Sequence, residues 1–385
     1  MPDLSKNDKA LPKLAYKANW YPPWGPRFWN GMRVGDFWKL IKENNFRIHP
    51  TRYPMTALVS FCSLLNSSAA RIQSIFYGPK ISSTDLVAPP IFIIGHWRSG
   101  TTLLHELLTL DDNFAFPNNF DTFVPHHFLL TGWFAEPLVD LLMPRTRPMD
   151  NMRLKTGLPQ EDEFALLAMG GLTAYRRVAF PNETNLNHRY LNGDSLNEQE
   201  QTKTREQLVG FFKALTVKYG KQLVLKSPPH TGRIRQLREW FPGCKFIHIT
   251  RHPYKIVPST LRLWQTLDQV QSFQIAKYDT GKLLDYVTIC KNEMYDAYHR
   301  DQNQLDENEL AQVKFEDLVE DPVREVSRLY RQLEIDDPNP VAQRIEQDFR
   351  ARKHKTNKLV LDEALRARVN DQWRDYMEQF GYEAN

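Results

Sequence analysis

The order of apolar and polar positions predicts that strands and helices alternate through the middle of the chain. Short apolar runs at Ile91–Ile94, Leu223–Leu225 and Lys245–Ile249 are typical of buried strands. Between them, Thr102–Leu110 and 231–241 have apolar residues three and four positions apart, which is the spacing of an amphipathic helix. This alternation predicts an α/β fold with a doubly wound parallel sheet flanked by helices.

The later part of the chain continues the same pattern. Gln312–Phe315 predicts another strand. Asp321-Pro322 has the form of a helix cap followed by a first-turn proline. The helix that it opens is expected to turn four apolar residues inward: Val323, Val326, Leu329 and Leu333. Residues 341–385 are polar and are predicted to be mostly helical, ending around Trp373.

The N-terminal extension is predicted to be mostly helical after an irregular arm. Residues 18–54 are rich in Trp, Pro and Arg, which favours an irregular arm packed on the rest of the protein. Residues 55–77 predict an amphipathic helix, with apolar residues at Leu58, Cys62, Leu65, Ala69, Ile72 and Phe76. The opposite face has Ser, Asn and Gln with Arg71, whereas a helix on a membrane surface has a cationic face. We therefore expect docking on the core, with peripheral membrane contact left open.

Composition limits the classes of function. The chain of 385 residues is 41% apolar, enough for one large domain with additions. We divide it into an N-terminal arm and helix (1–88), an α/β domain (89–340) and a helical extension (341–385). With 50 basic and 46 acidic residues, the net charge of +4 gives no nucleic-acid signature. An anion site must therefore be built locally.

The chain has no apolar run of about 18 residues, so we predict no transmembrane segment. Met1–Lys17 is polar and lacks the apolar core of a signal peptide. The three cysteines lie far apart, without the spacing of a metal site or a disulfide scaffold. We interpret these features as those of a protein in the reducing cytoplasm, and no pattern predicts its oligomeric state.

The loop from Gly95 to Thr102 is the principal candidate for an anion site. Gly95-x4-Gly100 has the frame of a phosphate-binding P-loop between a strand and a helix. The backbone amides of Ser99 to Thr102 are expected to point at the anion. Thr101 stands where nucleoside-triphosphate enzymes have Lys, which disfavours a triphosphate. One phosphate carrying a sulfuryl group needs only this cradle and one cation, which Arg98 provides, and no metal.

Two more cations follow predicted strands. Lys226 precedes Ser227-Pro228-Pro229-His230, and Arg251 precedes His252-Pro253. In a doubly wound sheet, ligands bind outside the carboxyl ends of the strands. The loop, Lys226 and Arg251 are therefore expected to meet at one crevice.

These segments resemble the sulfotransferases that use 3′-phosphoadenosine-5′-phosphosulfate (PAPS), most closely bacterial family members related to tyrosylprotein and heparan sulfotransferases. The resemblance covers Pro89 to Leu333 through the motifs IFIIGHWRSGTTLLHELL, FIHITRHPYKIVPSTLRLW and VKFEDLVEDP. It implies that PAPS is the donor and that Arg251 and Ser259 bind its 3′-phosphate. It also implies that the 5′-phosphosulfate binds the residues of the first motif: Arg98, Ser99, Gly100, Thr101 and Thr102.

The resemblance implies that Lys226 is catalytic and stabilises charge on the bridging oxygen. It leaves the catalytic base open. Cytosolic relatives use a His two positions after that Lys, where this chain has Pro228, with His230 two residues further. Other relatives use a Glu upstream. Here Glu161-Asp162-Glu163 opens a predicted helix, where acidic residues are also common as simple caps. We predict Glu163 or His230 as the base, with Glu161 behind them.

The predicted function is in-line, metal-independent sulfuryl transfer from PAPS to a hydroxyl or amine of a carbohydrate, lipid, small alcohol or peptide. The alternatives are a nucleotide-dependent phosphoryl-transfer enzyme and a non-catalytic module that binds the nucleotide product. Residues 115–180 are expected to face the acceptor. Their aromatic cluster either lines an apolar pocket or belongs to the core: Phe123, His126, His127, Phe128, Trp133 and Phe134. The basic stretch 354–358 either closes over the nucleotide or is a solvated turn.

Overall fold

One five-stranded parallel sheet organises the protein. The computed structural model describes residues 18–150, 152–183, 187–277, 279–351 and 361–384. The strands within these ranges are β1 (Ile91–Ile94), β2 (Phe114–Ala115), β3 (Gln222–Lys226), β4 (Lys245–Thr250) and β5 (Leu310–Lys314). Their order in the sheet is β2-β3-β1-β4-β5, and every pairing is parallel. The predicted α/β fold is confirmed.

Helices surround this sheet and make up most of the N-terminal region, as predicted. Those before β2 are α1 (Val34–Glu43), α2 (Tyr53–Ser83) and α3 (Thr101–Leu108). Those between β2 and β4 are α4 (Asn119–Phe123), α5 (Phe128–Leu142), α6 (Asp162–Ala168), α7 (Glu198–Tyr219) and α8 (Ile234–Trp240). The later ones are α9 (Pro253–Gln271), α10 (Thr280–Gln302), α11 (Phe315–Glu320), α12 (Pro322–Gln332), α13 (Asn339–Ala351), α14 (Glu363–Gln372) and α15 (Arg374–Phe380).

The central strand β1 lies between two strands that come from later parts of the chain. Ile93 pairs with Lys226 of β3 on one side and with Ile247 of β4 on the other. Because all three strands run in parallel, the loops that follow them leave the same edge of the sheet. This edge is the position at which doubly wound sheets bind ligands.

The sheet is covered on both faces because successive strand residues point to opposite sides. Ile91 and Ile93 pack in one apolar cluster, which also contains buried residues of α3 and α12. Phe92 and Ile94 pack in a second cluster on the other side, with residues of α7 and α9. In α12, Val326, Leu329 and the following Leu333 are buried as predicted, while Val323 is only partly buried.

Helix α2 docks in the opposite orientation from the one that its apolar pattern suggests. Its buried positions include the polar residues Ser63, Asn66 and Gln73. Its apolar residues Leu65 and Phe76 are exposed. The helix contacts the rest of the protein through these polar residues and through Met55 and Val59 near its start. Leu65 and Phe76, which the apolar pattern assigns to the docked side, take no part in this contact.

Several local predictions also differ. The arm predicted as irregular contains α1, whose residues Phe37, Leu40 and Ile41 are buried. The helix predicted at 231–241 is preceded by a 3-10 turn, Pro228–Gly232, because two prolines begin it. Strand β5 begins and ends earlier than predicted, since Phe315 already starts α11. The two-residue strand β2 is too short to give a sequence pattern.

The C-terminal helices pack against the loop that follows β1. Trp373 lies between α14 and α15, is fully buried and contacts the ring of His96 edge-on, with centroids 5.1 Å apart. The basic stretch 354–358 lies outside the described residues. The division of the chain at residues 88 and 340 stays a prediction.

Candidate active site

The loop after β1 is folded tightly against its neighbours. Gly95 and Gly100 have positive φ angles of 142° and 110°, and Arg98 between them has a φ of 68°. A Cβ atom on Gly95 would lie 2.4 Å from the Ile249 carbonyl oxygen. A Cβ atom on Gly100 would lie 2.3 Å from the ring of Phe315. Glycine is required at both positions, so the loop backbone can form a concave cradle.

Polar groups of this loop remain available for an anion. The Ser99 hydroxyl is buried and has no hydrogen-bond partner among the described residues. Gly100 precedes α3, and the first amides of a helix have no intrahelical acceptor. The Ser99 amide, in contrast to our expectation, donates to the His96 carbonyl at 3.1 Å. Of the predicted amides, those of Gly100, Thr101 and Thr102 are the ones placed for an anion.

The cations predicted for two separate phosphates lie together. Arg98 Nε donates to Ser259 Oγ at 2.8 Å, and Arg251 Nη1 donates to the Arg98 carbonyl at 3.2 Å. The Arg251 guanidinium also lies 4.0 Å from the centroid of the Phe315 ring. Its buried Nε has no partner among the described residues, and burial lowers the pKa of Arg251 to about 10. Arg251 thus stays cationic at neutral pH with a donor to spare.

Asp150 holds the Arg98 side chain in place. Its Oδ2 accepts from Arg98 Nη1 at 2.9 Å. Burial acts to raise the pKa of Asp150, but Arg98 and Arg147 outweigh it and lower that pKa below its usual range. Asp150 is therefore an ionised partner that an arriving anion must compete with for Arg98.

Lys226 and Glu161 form an ion pair at the carboxyl end of β3. Lys226 Nζ donates to Glu161 Oε1 at 2.8 Å, with side chains 2% and 13% exposed respectively. Burial lowers the pKa of Lys226, and the Glu161 carboxylate opposes that change. Tyr175 donates its hydroxyl to Glu161 Oε2 at 2.6 Å and accepts from Trp97 Nε1 at 2.7 Å. Each oxygen of the Glu161 carboxylate thus accepts from a buried donor, while the side chain keeps a small exposed surface.

Glu163 occupies a different environment from Glu161. Its two oxygens accept from Arg233 Nη1 and Nη2 at 2.8 and 3.0 Å, and both side chains are fully buried. In this bidentate pair the guanidinium engages both carboxylate oxygens, so neither oxygen of Glu163 faces a cleft. The geometry therefore disfavours Glu163 as the base, because an acceptor hydroxyl cannot reach it.

His230 is also enclosed. Its Nε2 lies 2.6 Å from Asp162 Oδ2, and both side chains are fully buried. Ser227 Oγ donates to the other oxygen of Asp162 at 2.8 Å. Burial acts to raise the pKa of Asp162, but His230 and Ser227 lower it overall. His230 is placed to hold the β3 loop to α6, and the geometry favours Glu161, which the sequence ranked third, for contact with a substrate.

Three consecutive carboxylates thus have three different partners spaced four and three residues apart: Lys226, His230 and Arg233. The sequence missed Asp162, Arg233 and Tyr175. The three basic residues lie close enough in the sequence for each to meet one carboxylate of the acidic run, but only the fold shows which carboxylate meets which basic residue. Asp150 and Tyr175 have no local pattern that could have indicated them.

The aromatic cluster predicted near the acceptor does not form one lining. Phe128 is buried in the core, and His127 hydrogen-bonds to Asn66 and Thr131. Trp133 and Phe134 are exposed on the outer surface. Tyr175, which donates to Glu161, packs in an aromatic cluster with Trp97, Phe164 and Trp264.

Comparison with known proteins identifies the family of this chain. A model of the sulfotransferase family matches residues 89–339. The ω-hydroxy-β-dihydromenaquinone-9 sulfotransferases Stf3 of Mycobacterium bovis and Mycobacterium tuberculosis are 35% identical over 376 residues, covering 97% of this chain and 96% of theirs.

Two solved structures share the fold. Sulfotransferase STF9 from Mycobacterium avium superposes with a TM-score of 0.68 at 17% identity, covering 90% of this chain and 91% of its own. Sulfotransferase STF1 from Mycobacterium tuberculosis has a TM-score of 0.54 at 18% identity, covering 83% of this chain and 82% of its own. With the family match and the Stf3 relatives taken together, this chain belongs to the sulfotransferase family and is a sulfotransferase.

Proposed function

We propose that this sulfotransferase moves the sulfuryl group of PAPS onto the hydroxyl of a long apolar alcohol. The observation that carries the proposal is the Lys226–Glu161 pair, at 2.8 Å, beside the loop that follows β1. A cation and a carboxylate at one strand end provide the two groups that transfer to a hydroxyl requires. One stabilises the leaving oxygen, and the other accepts the proton of the attacking oxygen.

The donor site fits a nucleotide with phosphates on two sides of its ribose. The glycine-shaped cradle, the unpartnered Ser99 hydroxyl and the α3 amides suit the 5′-phosphosulfate. Arg251, with its unpartnered Nε, and Ser259 suit the 3′-phosphate. Arg98 lies between the two groups, bonded to Ser259 and to Asp150.

We assign Glu161 as the base. Lys226 and Tyr175 each donate to one of its oxygens, which aims the carboxylate. As the acceptor oxygen bonds to sulfur, Glu161 takes its proton, and the sulfur–oxygen bond to the 5′-phosphate breaks. The buried Lys226 ammonium then balances the charge that appears on the departing phosphate oxygen.

The acceptor class rests on the Stf3 relatives, whose name states that they act on an ω-hydroxy-β-dihydromenaquinone. Since the match spans nearly the whole of both chains, we extend the same kind of acceptor to this protein.

Calorimetry tests the donor. We expect 3′-phosphoadenosine-5′-phosphate to bind the wild type and ATP with Mg²⁺ to bind far more weakly. Arg251→Ala should weaken bisphosphate binding roughly 10- to 100-fold, the value of charge-assisted hydrogen bonds. Arg324→Ala, on the exposed face of α12, is the matched control. Tight binding of ATP with no binding of the bisphosphate would overturn the donor assignment.

Transfer of labelled sulfate tests the acceptor. We expect label on an ω-hydroxylated dihydromenaquinone and none on the same molecule without its hydroxyl. Labelling of soluble sugars or phenols in preference to the lipid would refute the acceptor class and leave the donor assignment standing.

A further inference from the structure

Helix α5 exposes a continuous apolar stripe. Its outward positions recur at spacings of three and four, and all but Pro137 are large apolar residues: Trp133, Phe134, Leu138, Leu141 and Leu142. Trp133 is 82% exposed and Leu141 is 80% exposed. A helix of a globular protein normally turns such a stripe toward the core. This one is turned toward solvent.

Helix α2, which packs against α5, exposes a second apolar stripe. Its members are Phe61, Leu64, Leu65, Ile72, Ile75 and Phe76. Together the two stripes form what we call the α2–α5 face. Its four aromatic side chains, at roughly 150–250 Å² each when fully exposed, by themselves approach the ~300–600 Å² of the largest apolar patch on a typical monomer. The face is therefore larger than scattered surface residues would produce.

The orientation of α2 is fixed by its polar side. Asn66 Nδ2 donates to the Met32 carbonyl at 3.0 Å, and its Oδ1 lies 3.0 Å from His127 Nε2. Gln73 Oε1 accepts from the Leu130 amide at 3.0 Å, at the start of α5. Rotating the helix to bury its apolar side would leave these buried groups unpaired. The apolar stripe is thus held outward by the fold.

Cations outnumber carboxylates beside this face. Helix α2 has Arg71 and Lys80, both exposed, and no acidic residue. The segment after α5 adds three exposed cations without a carboxylate partner among the described residues: Arg145, Arg153 and Lys155. The carboxylates beside the face are Glu136 and Asp140 of α5, which accept from Asn118 and Thr156, and Asp85 after α2, which pairs with Lys213.

The same segment leads into the candidate active site. Asp150, which binds Arg98, lies eight positions after Leu142 in the sequence, and Arg147 is close enough to Lys226 to lower its pKa. Asn19 donates to the carbonyls of Arg147 and Asp150, which places the exposed Trp20 beside this segment. The α2–α5 face therefore ends near the donor site.

We propose that the α2–α5 face seats the protein on the surface of an anionic lipid bilayer. The apolar side chains would enter the acyl region, and the surrounding cations would meet the acidic headgroups. A second copy of this chain fits less well, because a two-fold interface would bring the same cations face to face. None of the described helices is long and apolar enough to cross a membrane. Delivery of the acceptor from the bilayer rests on the proposed function; the bilayer contact does not.

Vesicle flotation with the full chain tests the proposal. We expect binding to phosphatidylcholine vesicles that contain phosphatidylglycerol and weaker binding to phosphatidylcholine alone. The double variant Leu138→Ser with Leu141→Ser should weaken vesicle binding at least tenfold. The reason is that each exposed leucine that enters lipid contributes more than RT to the free energy of binding. Ile289→Ser, at an exposed site on α10, is the matched control and should bind as the wild type does.

The outcomes separate the two proposals. Failure of the wild type to float, or equal flotation of the double variant, would overturn the bilayer contact. So would a dimer in solution that the double variant abolishes, because a second copy would then cover the face. Thermal unfolding should be unchanged in the double variant, and binding of 3′-phosphoadenosine-5′-phosphate should be unchanged as well. A protein that floats but does not bind the bisphosphate would refute the proposed donor and retain the membrane contact.

Discussion

The carboxyl edge of the sheet and the α2–α5 face depart from the usual distribution of polarity in opposite directions. At the sheet edge, Glu161, Asp162 and Glu163 are buried or nearly so, each against its own basic partner. On the α2–α5 face, large apolar side chains such as Trp133 are left in solvent. Folding stability alone favours neither arrangement. Local sequence rules are often broken at functional sites. We propose an anionic nucleotide as the ligand of the first region and a lipid surface as that of the second.

Two glutamates at the sheet edge differ in the role that we propose for them, Glu161 in catalysis and Glu163 in holding the structure. Glu161 and Glu163 are two positions apart, yet one is partly exposed beside Lys226 and the other is locked to Arg233. Variants of Glu161 and Arg233 test this contrast, and variants on α2 test the contrast between the two regions.

The largest expected effect is on turnover. Glu161→Gln should lower kcat by roughly 10²–10⁴-fold, because the amide cannot accept the proton of the acceptor hydroxyl. The dissociation constant of 3′-phosphoadenosine-5′-phosphate should change by less than about threefold, which is less than about 0.7 kcal/mol of binding free energy. Steady-state kinetics with calorimetry measure both, and a variant that retains full turnover would remove Glu161 from the role of base.

Breaking the neighbouring pair should act on stability. Arg233→Met leaves the Glu163 carboxylate buried without a cation and should cost about 3–5 kcal/mol of unfolding free energy. Urea unfolding measures it, and Arg235→Met, at a half-exposed pair on the same helix, should cost less than about 1 kcal/mol. An equal loss in both variants would show that burial of the Glu163 pair has no special weight.

The polar attachment of α2 should be worth less than the buried ion pair. Asn66→Ala removes the donor to the Met32 carbonyl and the partner of His127 Nε2, and should cost about 1–3 kcal/mol. The control is Ser68→Ala on the exposed side of the same helix. If the two variants unfold at the same urea concentration, the hydrogen bonds of Asn66 do not fix the helix.

Lowering the pH should lower the free energy of unfolding, because each of the two regions contains a buried histidine. Burial lowers the pKa of His96 in the loop to about 3 and that of His127 beneath α2 to about 4. Below pH ~6.5 the unfolded chain binds a proton at each site that the folded chain does not, so stability falls as pH falls. Each site contributes up to about 1.4 kcal/mol per pH unit. His127→Gln should therefore flatten the dependence of urea unfolding on pH between 6 and 5, roughly the range below the histidine model value, whereas the exposed His49→Gln should leave it unchanged.

The smallest expected effect is on the exposed face itself. Leu65→Ser on α2 should change the unfolding free energy by less than about 0.5 kcal/mol, because the side chain is already in water. Leu329→Ala, at a buried position of α12, should cost about 2–5 kcal/mol. A large loss at Leu65 would mean that its side chain packs against the protein rather than facing solvent.

The sequence by itself determined the fold class and the position of the glycine-containing loop that we propose as the anion site. Strand periodicity gave Ile91–Ile94 and its parallel neighbours, and the glycine spacing gave the loop, because both signals come from residues that are adjacent along the chain. The strand and helix pattern placed Lys226 and Arg251 at strand ends and Ser259 in the helix that follows, and the fold brings their elements to one edge of the sheet. The resemblance to sulfotransferases implied their roles.

Only the tertiary structure decided which carboxylate faces the cleft and which side of α2 faces the core. Glu161 and Glu163 both begin one helix, and no periodicity distinguishes a carboxylate that meets a lysine at a strand end from one enclosed by an arginine. The apolar stripe of α2 predicted a buried surface, but Asn30, Met32 and His127 offered hydrogen-bond partners from other parts of the chain. Such pairings depend on residues far apart in sequence, and a local pattern contains no information about the partners that the fold will supply.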